Sequence, residues 1–144
     1  MLDGLERDER GRYLGDGTHV LVDSALYYLL ALTPDGTVPW YVPVIPADKA
    51  WTPIRPGAAW GDVATLLPWT LYERFGDLGV LRAQWDSAHR WVDLLERLAG
   101  PSRLWDTGFQ LGDWLDPAAP PEDPADALTD RYLVATAYFA KSAR

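Results

Sequence analysis

A continuous apolar stripe in residues 77–99 constrains the fold of this chain more than any other feature. Apolar residues recur there at steps of four and three positions, which is the spacing of one helical face. The stripe consists of Leu81, Trp85, Ala88, Val92, Leu95 and Ala99. Asp77 is placed to cap the start, and Gly100-Pro101 interrupts the pattern. The segment therefore predicts a long helix that buries this face.

Three other segments also read as helices. Residues 19–32 are apolar on nearly every side, which is typical of a buried helix, and the turn residues at 33–36 end it. Residues 62–75 predict a second helix, with Asp62 as its cap and Gly76 after its last residue. Pro68 lies inside this segment and predicts either a kink or a later start.

The last predicted helix runs from about Asp130 to the end of the chain. Thr129 is its expected cap. The face expected to be apolar carries Leu133, Val134, Ala137 and Tyr138.

Two long loops separate the helices, at residues 37–59 and 101–127. Both combine proline with tryptophan, and proline at this density leaves room for short edge strands at most. The expected fold class is therefore all-α, in one domain spanning residues 1–144, with helical hairpins joined by long aromatic loops as in an α-toroid.

Composition excludes several classes of function. The chain has 144 residues, a net charge of −8 and no cysteine, so we expect neither nucleic acid nor an anionic membrane as a partner, and no thiolate zinc site. His19 and His89 lack partners at metal-ligand spacing, so we expect no metal and no cofactor. The charged first residues do not resemble a signal peptide, which predicts a cytoplasmic protein.

An acidic cluster near the start is the first candidate site. Asp3, Glu9 and Asp16 lie among arginines that include Arg7. Neighbouring carboxylates raise one another's pKa, as a general acid near neutral pH requires. The alternative is an exposed, solvated loop.

Two further motifs join an aromatic ring to a carboxylate. Trp60-Gly61-Asp62 stands at a predicted helix start, and Gly112-Asp113-Trp114 lies in the second loop. Tryptophan stacks on sugar faces, and carboxylates accept bonds from sugar hydroxyls. The alternatives are a helix cap with a hydrophobic staple for the first motif and a packed turn for the second.

These segments together resemble the bacterial α-L-rhamnosidases of the six-hairpin type. Residues 7–10 (RDER) with Gly15-Asp16 are similar to that family's acidic signature, with Asp3 and Asp16 at its spacings around Glu9. Residues 59–77, 109–117 and 129–143 resemble three later family segments, in family order.

The resemblance implies part of an (α/α)₆ toroid in an enzyme that releases terminal α-L-rhamnose from glycosides with inversion. Glu9 would be the general acid. The residues implied to bind the sugar are Asp3, Arg7, Tyr13, Asp16, Trp60, Asp62, Asp113 and Trp114.

The chain departs from the family pattern in three respects. The general-base glutamate of the family lies downstream of the last helix, so no residue here takes that role, and the remainder of the catalytic domain is an expected partner. The stretch between Asp16 and Pro34 is shorter than in the family, and residues 11–14 differ from its preferred sequence.

Three hypotheses follow. The chain is a fragment of a rhamnosidase domain, a non-catalytic carbohydrate-binding remnant, or a purely structural helical domain. The first predicts apolar helix faces left exposed, and the third predicts Trp60 and Trp114 buried in the core.

Overall fold

A computed structural model describes residues 33–40, 54–114, 116–123 and 126–144. Within these ranges the chain forms helices α1 (Val63–Phe75), α2 (Leu78–Ala99) and α3 (Arg131–Ser142), and a 3₁₀ turn at Gly100–Ser102. No strand occurs in this described part, which confirms the all-α prediction. The predicted helix at residues 19–32 lies outside the described residues.

Helices α1 and α2 form a hairpin whose ends follow the sequence signals. Gly76 adopts a left-handed conformation (φ 65°) after α1, and its N–H donates to the Tyr72 carbonyl at 2.7 Å. The Asp77 carboxylate then caps α2 by accepting from Gly79 N–H at 2.8 Å. Both predicted caps are confirmed, and α2 ends at Ala99 before Gly100.

Pro68 lies within α1 without delaying its start. The helix begins at Val63 and continues through the proline, so of the two predicted alternatives, a kink or a later start, the later start is wrong. Proline inside a helix removes the hydrogen bond that its own N–H would donate, and its ring crowds the carbonyl four residues earlier. Because Pro68 is buried, packing offsets that loss.

The face that α2 buries differs from the predicted stripe. Trp85 is 66% exposed, whereas the buried residues of the helix are Gln84, Trp91, Leu94, Leu95 and Ala99. The true face is displaced toward Gln84 and Trp91, and only Leu95 and Ala99 are buried members of both sets. Trp91 defines this face because its ring packs in the core beside Trp105, in an edge-to-face contact at 6.1 Å.

Helix α3 differs from its prediction in both its cap and its buried face. Asp130, not Thr129, caps it, accepting from the N–H groups of Tyr132 and Leu133 at 2.8 and 2.9 Å. Its buried residues are Ala135 and Phe139. Of the face predicted to be apolar, Leu133 is exposed, so α3 packs through the adjacent face.

The turn at residues 33–36 is anchored on α2, and its predicted turn character is confirmed by a bond from Gly36 N–H to the Thr33 carbonyl at 3.0 Å. Arg90 donates to the carbonyls of Thr33 and Pro34 at 2.8 and 3.0 Å. These bonds fix where the first aromatic loop begins.

Candidate functional site

A buried carboxylate organises the start of α1. Asp62 has no exposed surface, and its side chain makes no bond to the helix start. Instead, its Oδ1 accepts from Trp91 Nε1 at 3.1 Å and from the Ser142 hydroxyl. Its Oδ2 accepts from Ala59 N–H at 2.9 Å. One side chain therefore connects the turn before α1 with the middle of α2 and the end of α3.

Burial raises the pKa of Asp62 above its ordinary value. The hydrogen bonds from Ser142, Trp91 and Ala59 N–H act in the opposite direction because they stabilise the charged form. A carboxyl with no exposed surface cannot reach a sugar hydroxyl unless the groups packed around it move. Its placement therefore argues against the direct sugar contact predicted for it, and also against the alternative of an ordinary helix cap.

The turn at residues 57–61 holds Trp60 from both sides. Ala59 has a φ of 67°, a left-handed conformation that costs free energy in a residue with a Cβ. Its N–H is held by Asp62, and Gly61 N–H donates to the Gly57 carbonyl at 2.9 Å. A Cβ on Gly61 would overlap the Trp91 ring, so only glycine allows this close packing.

Aromatic rings from three segments form a row. Trp60 lies between Trp114, at a centroid distance of 5.6 Å, and Trp40, at 5.7 Å. Trp40 in turn stacks on Phe109 at 5.6 Å. The Arg55 guanidinium lies 5.2 Å from the centre of the Phe109 ring. We call Trp114, Trp60, Trp40 and Phe109 the aromatic row.

The second loop is tied to the first by a buried amide. Gln110 is almost fully buried, and its Oε1 accepts from Ala58 N–H at 2.9 Å. Trp105 is buried, and its backbone N–H donates to the Thr136 hydroxyl of α3 at 3.0 Å. Phe109 and Trp114 are therefore carried by a loop fixed both to the Trp60 turn and to α3.

The structure brings together some of the predicted site residues. Trp60 and Trp114 are neighbours in the aromatic row, both half-buried, and Asp113 next to Trp114 is exposed. The remaining predicted residues lie outside the described residues: Asp3, Arg7, Glu9, Tyr13 and Asp16.

Several residues of this site do not stand out in the sequence. Trp91 lies one position away from the predicted stripe of α2, and Ser142 follows no motif. Gln110 is a single amide between aromatic and apolar residues. The one usable signal is Gly61, because a glycine beside a tryptophan at a helix start indicates close packing of another group.

The described residues hold neither a candidate metal site nor a candidate membrane span. In residues 33–40, 54–114, 116–123 and 126–144, no three histidine or acidic side chains come together as a metal site would require. His89 instead contacts Asp93 at 3.2 Å on the surface of α2. None of the helices described is long and apolar enough to cross a bilayer.

Sequence comparison finds similarity over the whole chain. Residues 1–144 match the family described as the bacterial α-L-rhamnosidase 6 hairpin glycosidase domain. Proteins named α-L-rhamnosidase from Alteromonas sp. and Streptomyces avermitilis are 33% identical to the chain over 156 and 152 residues. Both alignments cover 98% of this chain but only 16% and 14% of the relatives, so the chain spans about one sixth to one seventh of their length.

The fold is also similar to that of a solved enzyme. The native α-L-rhamnosidase from Aspergillus terreus matches with a TM-score of 0.76 and 36% sequence identity. The match covers 90% of this chain and 15% of that one. Together with the family match, it confirms the predicted fold class, part of an (α/α)₆ toroid of helical hairpins.

Proposed function

The chain belongs to the family of bacterial α-L-rhamnosidase six-hairpin glycosidase domains, and on that basis we propose that it forms the acid-bearing part of an enzyme that hydrolyses terminal α-L-rhamnosides with inversion. Relatives named α-L-rhamnosidase, matched over nearly the whole chain, support the substrate class. Among the described residues, the observation that best supports the proposal is that Trp60 and Trp114 are neighbours.

Glu9 is the proposed general acid. In an inverting glycosidase, one carboxylic acid protonates the leaving oxygen while a second carboxylate activates water on the opposite face of the sugar, about 6.5–9.5 Å away. Asp3 and Asp16 would raise the pKa of Glu9 by like-charge repulsion and accept bonds from sugar hydroxyls. Arg7 and Tyr13 would donate to the same sugar. These five roles rest on the motif shared with the family.

Trp60 and Trp114 would form the apolar wall of the sugar site. The two residues are distant in sequence, yet their rings lie 5.6 Å apart and remain partly accessible. A pyranose presents C–H groups that pack against indole rings, while its hydroxyls need polar partners at the edge. The exposed Asp113 carboxylate is the neighbouring acceptor suited to that second task.

The general base would come from outside residues 1–144. The resemblance puts the family's general-base glutamate downstream of the last helix, and the relatives are far longer than the matched segment. Under this proposal, the chain supplies the acid and part of the sugar site, and the rest of the catalytic domain supplies the activated water.

Hydrolysis of p-nitrophenyl α-L-rhamnoside tests the proposal. The natural polypeptide containing this sequence should release nitrophenol, NMR should detect the inverted anomer first, and the 144-residue chain alone should show little turnover. On methyl α-L-rhamnoside, whose alkoxide leaving group needs a proton, Glu9→Gln should lower the rate by about 100-fold or more, because a general acid contributes about 10²–10⁴-fold.

Exposed Glu122 offers a matched control, and Glu122→Gln should leave the rate unchanged. An unchanged rate in Glu9→Gln would exclude Glu9 as the acid. Turnover by the isolated chain would show that the base lies within it, and release of the retained anomer would exclude inversion.

A carbohydrate-binding role without turnover is the second candidate. It is favoured by the aromatic row, whose two loops are joined by buried hydrogen bonds such as the one from Ala58 N–H to Gln110. Calorimetry with L-rhamnose would then show binding that is lost in Trp114→Ala, and no polypeptide containing the chain would hydrolyse the rhamnoside.

A further inference from the structure

We propose that Asp62 is a positioning residue that sets Trp60 in the sugar site through Trp91 and Ser142, without touching the sugar itself. The inference rests on the proposed function, in which Trp60 binds rhamnose. Under this inference Asp62 is no longer one of the residues that contact the sugar. Trp91 and Ser142, which lie outside the Trp60-Gly61-Asp62 motif, gain a role in holding it.

Asp62 and Trp91 hold the backbone on the two sides of Trp60. Oδ2 holds the N–H of Ala59, the residue before Trp60, in its left-handed conformation. Asp62 itself is held at Oδ1 by Trp91 Nε1 and the Ser142 hydroxyl. The Trp91 ring also covers Gly61, the residue after Trp60. Trp60 therefore has little freedom to move away from its place in the aromatic row.

The Asp62 carboxylate links the turn at residues 57–61 to the helices by hydrogen bonds. Trp91 belongs to the middle of α2 and is fully buried in the core. Ser142 belongs to the last turn of α3 and also shares a hydrogen bond of 2.8 Å with Thr65 of α1. Through this carboxylate, the three helices together determine the position of Trp60.

Replacement of the carboxylate by an amide should loosen the turn while keeping its volume. An asparagine side chain in place of Asp62 can still accept from Trp91 and Ser142 through its oxygen, but its NH₂ group would face Ala59 N–H, where two donors repel. The strained Ala59 conformation then loses the bond that holds it. Asp62→Asn should weaken rhamnose binding by about tenfold, because binding would then have to immobilise a Trp60 side chain that is held in place beforehand in the wild type.

Substitutions of Ser142 distinguish a positioning role of Asp62 from direct contact between Asp62 and the sugar. Ser142→Ala removes a donor from Asp62 at a position assigned no sugar contact, so it should weaken L-rhamnose binding in the same direction as Asp62→Asn. Ser142→Thr keeps the hydroxyl and should restore wild-type affinity. The effects of Asp62→Asn and Ser142→Ala should be non-additive in the double variant, because both act through one network. Asp86→Asn, at an exposed position on α2, is the matched control.

The experiment combines titration calorimetry with L-rhamnose and near-ultraviolet circular dichroism of the tryptophans, both on the full chain. Support requires that Asp62→Asn and Ser142→Ala change the tryptophan spectrum and affinity together, with far-ultraviolet spectra unchanged. An unchanged spectrum and affinity in Ser142→Ala would overturn the positioning role, even if Asp62→Asn failed to fold. If the wild-type chain did not bind rhamnose, sugar binding by the chain alone would be excluded while the hydrolysis test of the proposed function would stand, and the spectra with the Ser142→Thr variant would still decide the positioning role.

Discussion

At the residue scale, burial gives Asp62 a pH dependence opposite in sign to that of Asp35. Its folded pKa is raised above the ordinary value of 3.8. A raised folded pKa stabilises the protein below the unfolded pKa, and this contribution is lost as pH rises through the folded pKa. The free energy of unfolding of wild type relative to Asp62→Asn should therefore be greatest in acid and fall above pH 3.8.

Urea unfolding of wild type and Asp62→Asn at several pH values between about 3 and 8 measures this difference. The control is Asp86→Asn, whose difference from wild type should not follow the same curve. A wild-type advantage over Asp62→Asn that grew with pH would mean that the carboxyl is ionised more easily in the folded chain than in the unfolded one.

Asp35 should behave in the reverse way. Hydrogen bonds from the Thr33 hydroxyl and then from Thr37 N–H lower its pKa below 3.8. Its contribution to stability should be present above pH 3.8 and lost as pH falls through the lower folded value. Asp35→Asn should therefore destabilise the chain modestly near neutrality and hardly at all in strong acid, as measured by thermal unfolding at both pH values. Equal losses in acid and at neutrality would contradict it.

Local sequence identifies Asp62 as a residue at a helix start but not what its oxygens bind. Trp91 and Ser142 lie far along the chain, and no local pattern links them to a carboxylate before α1. For Asp35, in contrast, both partners lie within two residues, and the turn at residues 33–36 is recognisable from its own composition. A local sequence pattern can therefore predict a hydrogen bond only when the two bonded residues lie close together along the chain.

At the element scale, the helix boundaries are more predictable than the faces that the helices bury. Gly76, Asp77 and Gly100 act within one or two residues of a helix end, so their effects depend on local backbone chemistry. The buried face of α2 depends on which of two adjacent stripes meets the core. Trp85 and Trp91 are equally apolar, and the tertiary contacts with Trp105, Gly61 and Asp62 select Trp91.

The cap of α3 is a prediction at this scale. Asp130→Ala removes an acceptor that serves two N–H groups and should lower the free energy of unfolding by about 1 kcal/mol. Thr129→Ala, at the neighbouring position that the sequence pattern favours as the cap, should change it by less than about 0.5 kcal/mol. Urea unfolding of the two variants under one condition compares them. A larger loss in Thr129→Ala would restore Thr129 as the functional cap.

At the scale of the whole molecule, the order of motifs along the chain predicts the toroid fold, whereas the aromatic row cannot be read from it. The row depends on two loops meeting, and that meeting depends on buried bonds such as the one from Ala58 N–H to Gln110. Trp60 and Trp114 are each predicted to line a site, but their contact is a product of tertiary structure. Both are half-buried rather than enclosed in the core, which argues against a purely structural role.

The packing of α3 against the hairpin joins the described helices into one unit, and a substitution of Phe139 tests this packing. Phe139 is buried in the same cluster as Trp91, Leu95 and Trp105, whereas Leu133 on the same helix is 64% exposed. Phe139→Ala should cost about 3–5 kcal/mol, because removal of a buried aromatic ring leaves a cavity. Leu133→Ala should cost less than about 0.5 kcal/mol.

Since Ser142 follows Phe139 by one turn, Phe139→Ala should also disturb the tryptophan spectrum through Asp62, and Leu133→Ala should leave that spectrum unchanged. Equal losses of stability in the two variants would mean that α3 does not pack through the Phe139 face, and the link from α3 to the Trp60 turn would fail with it.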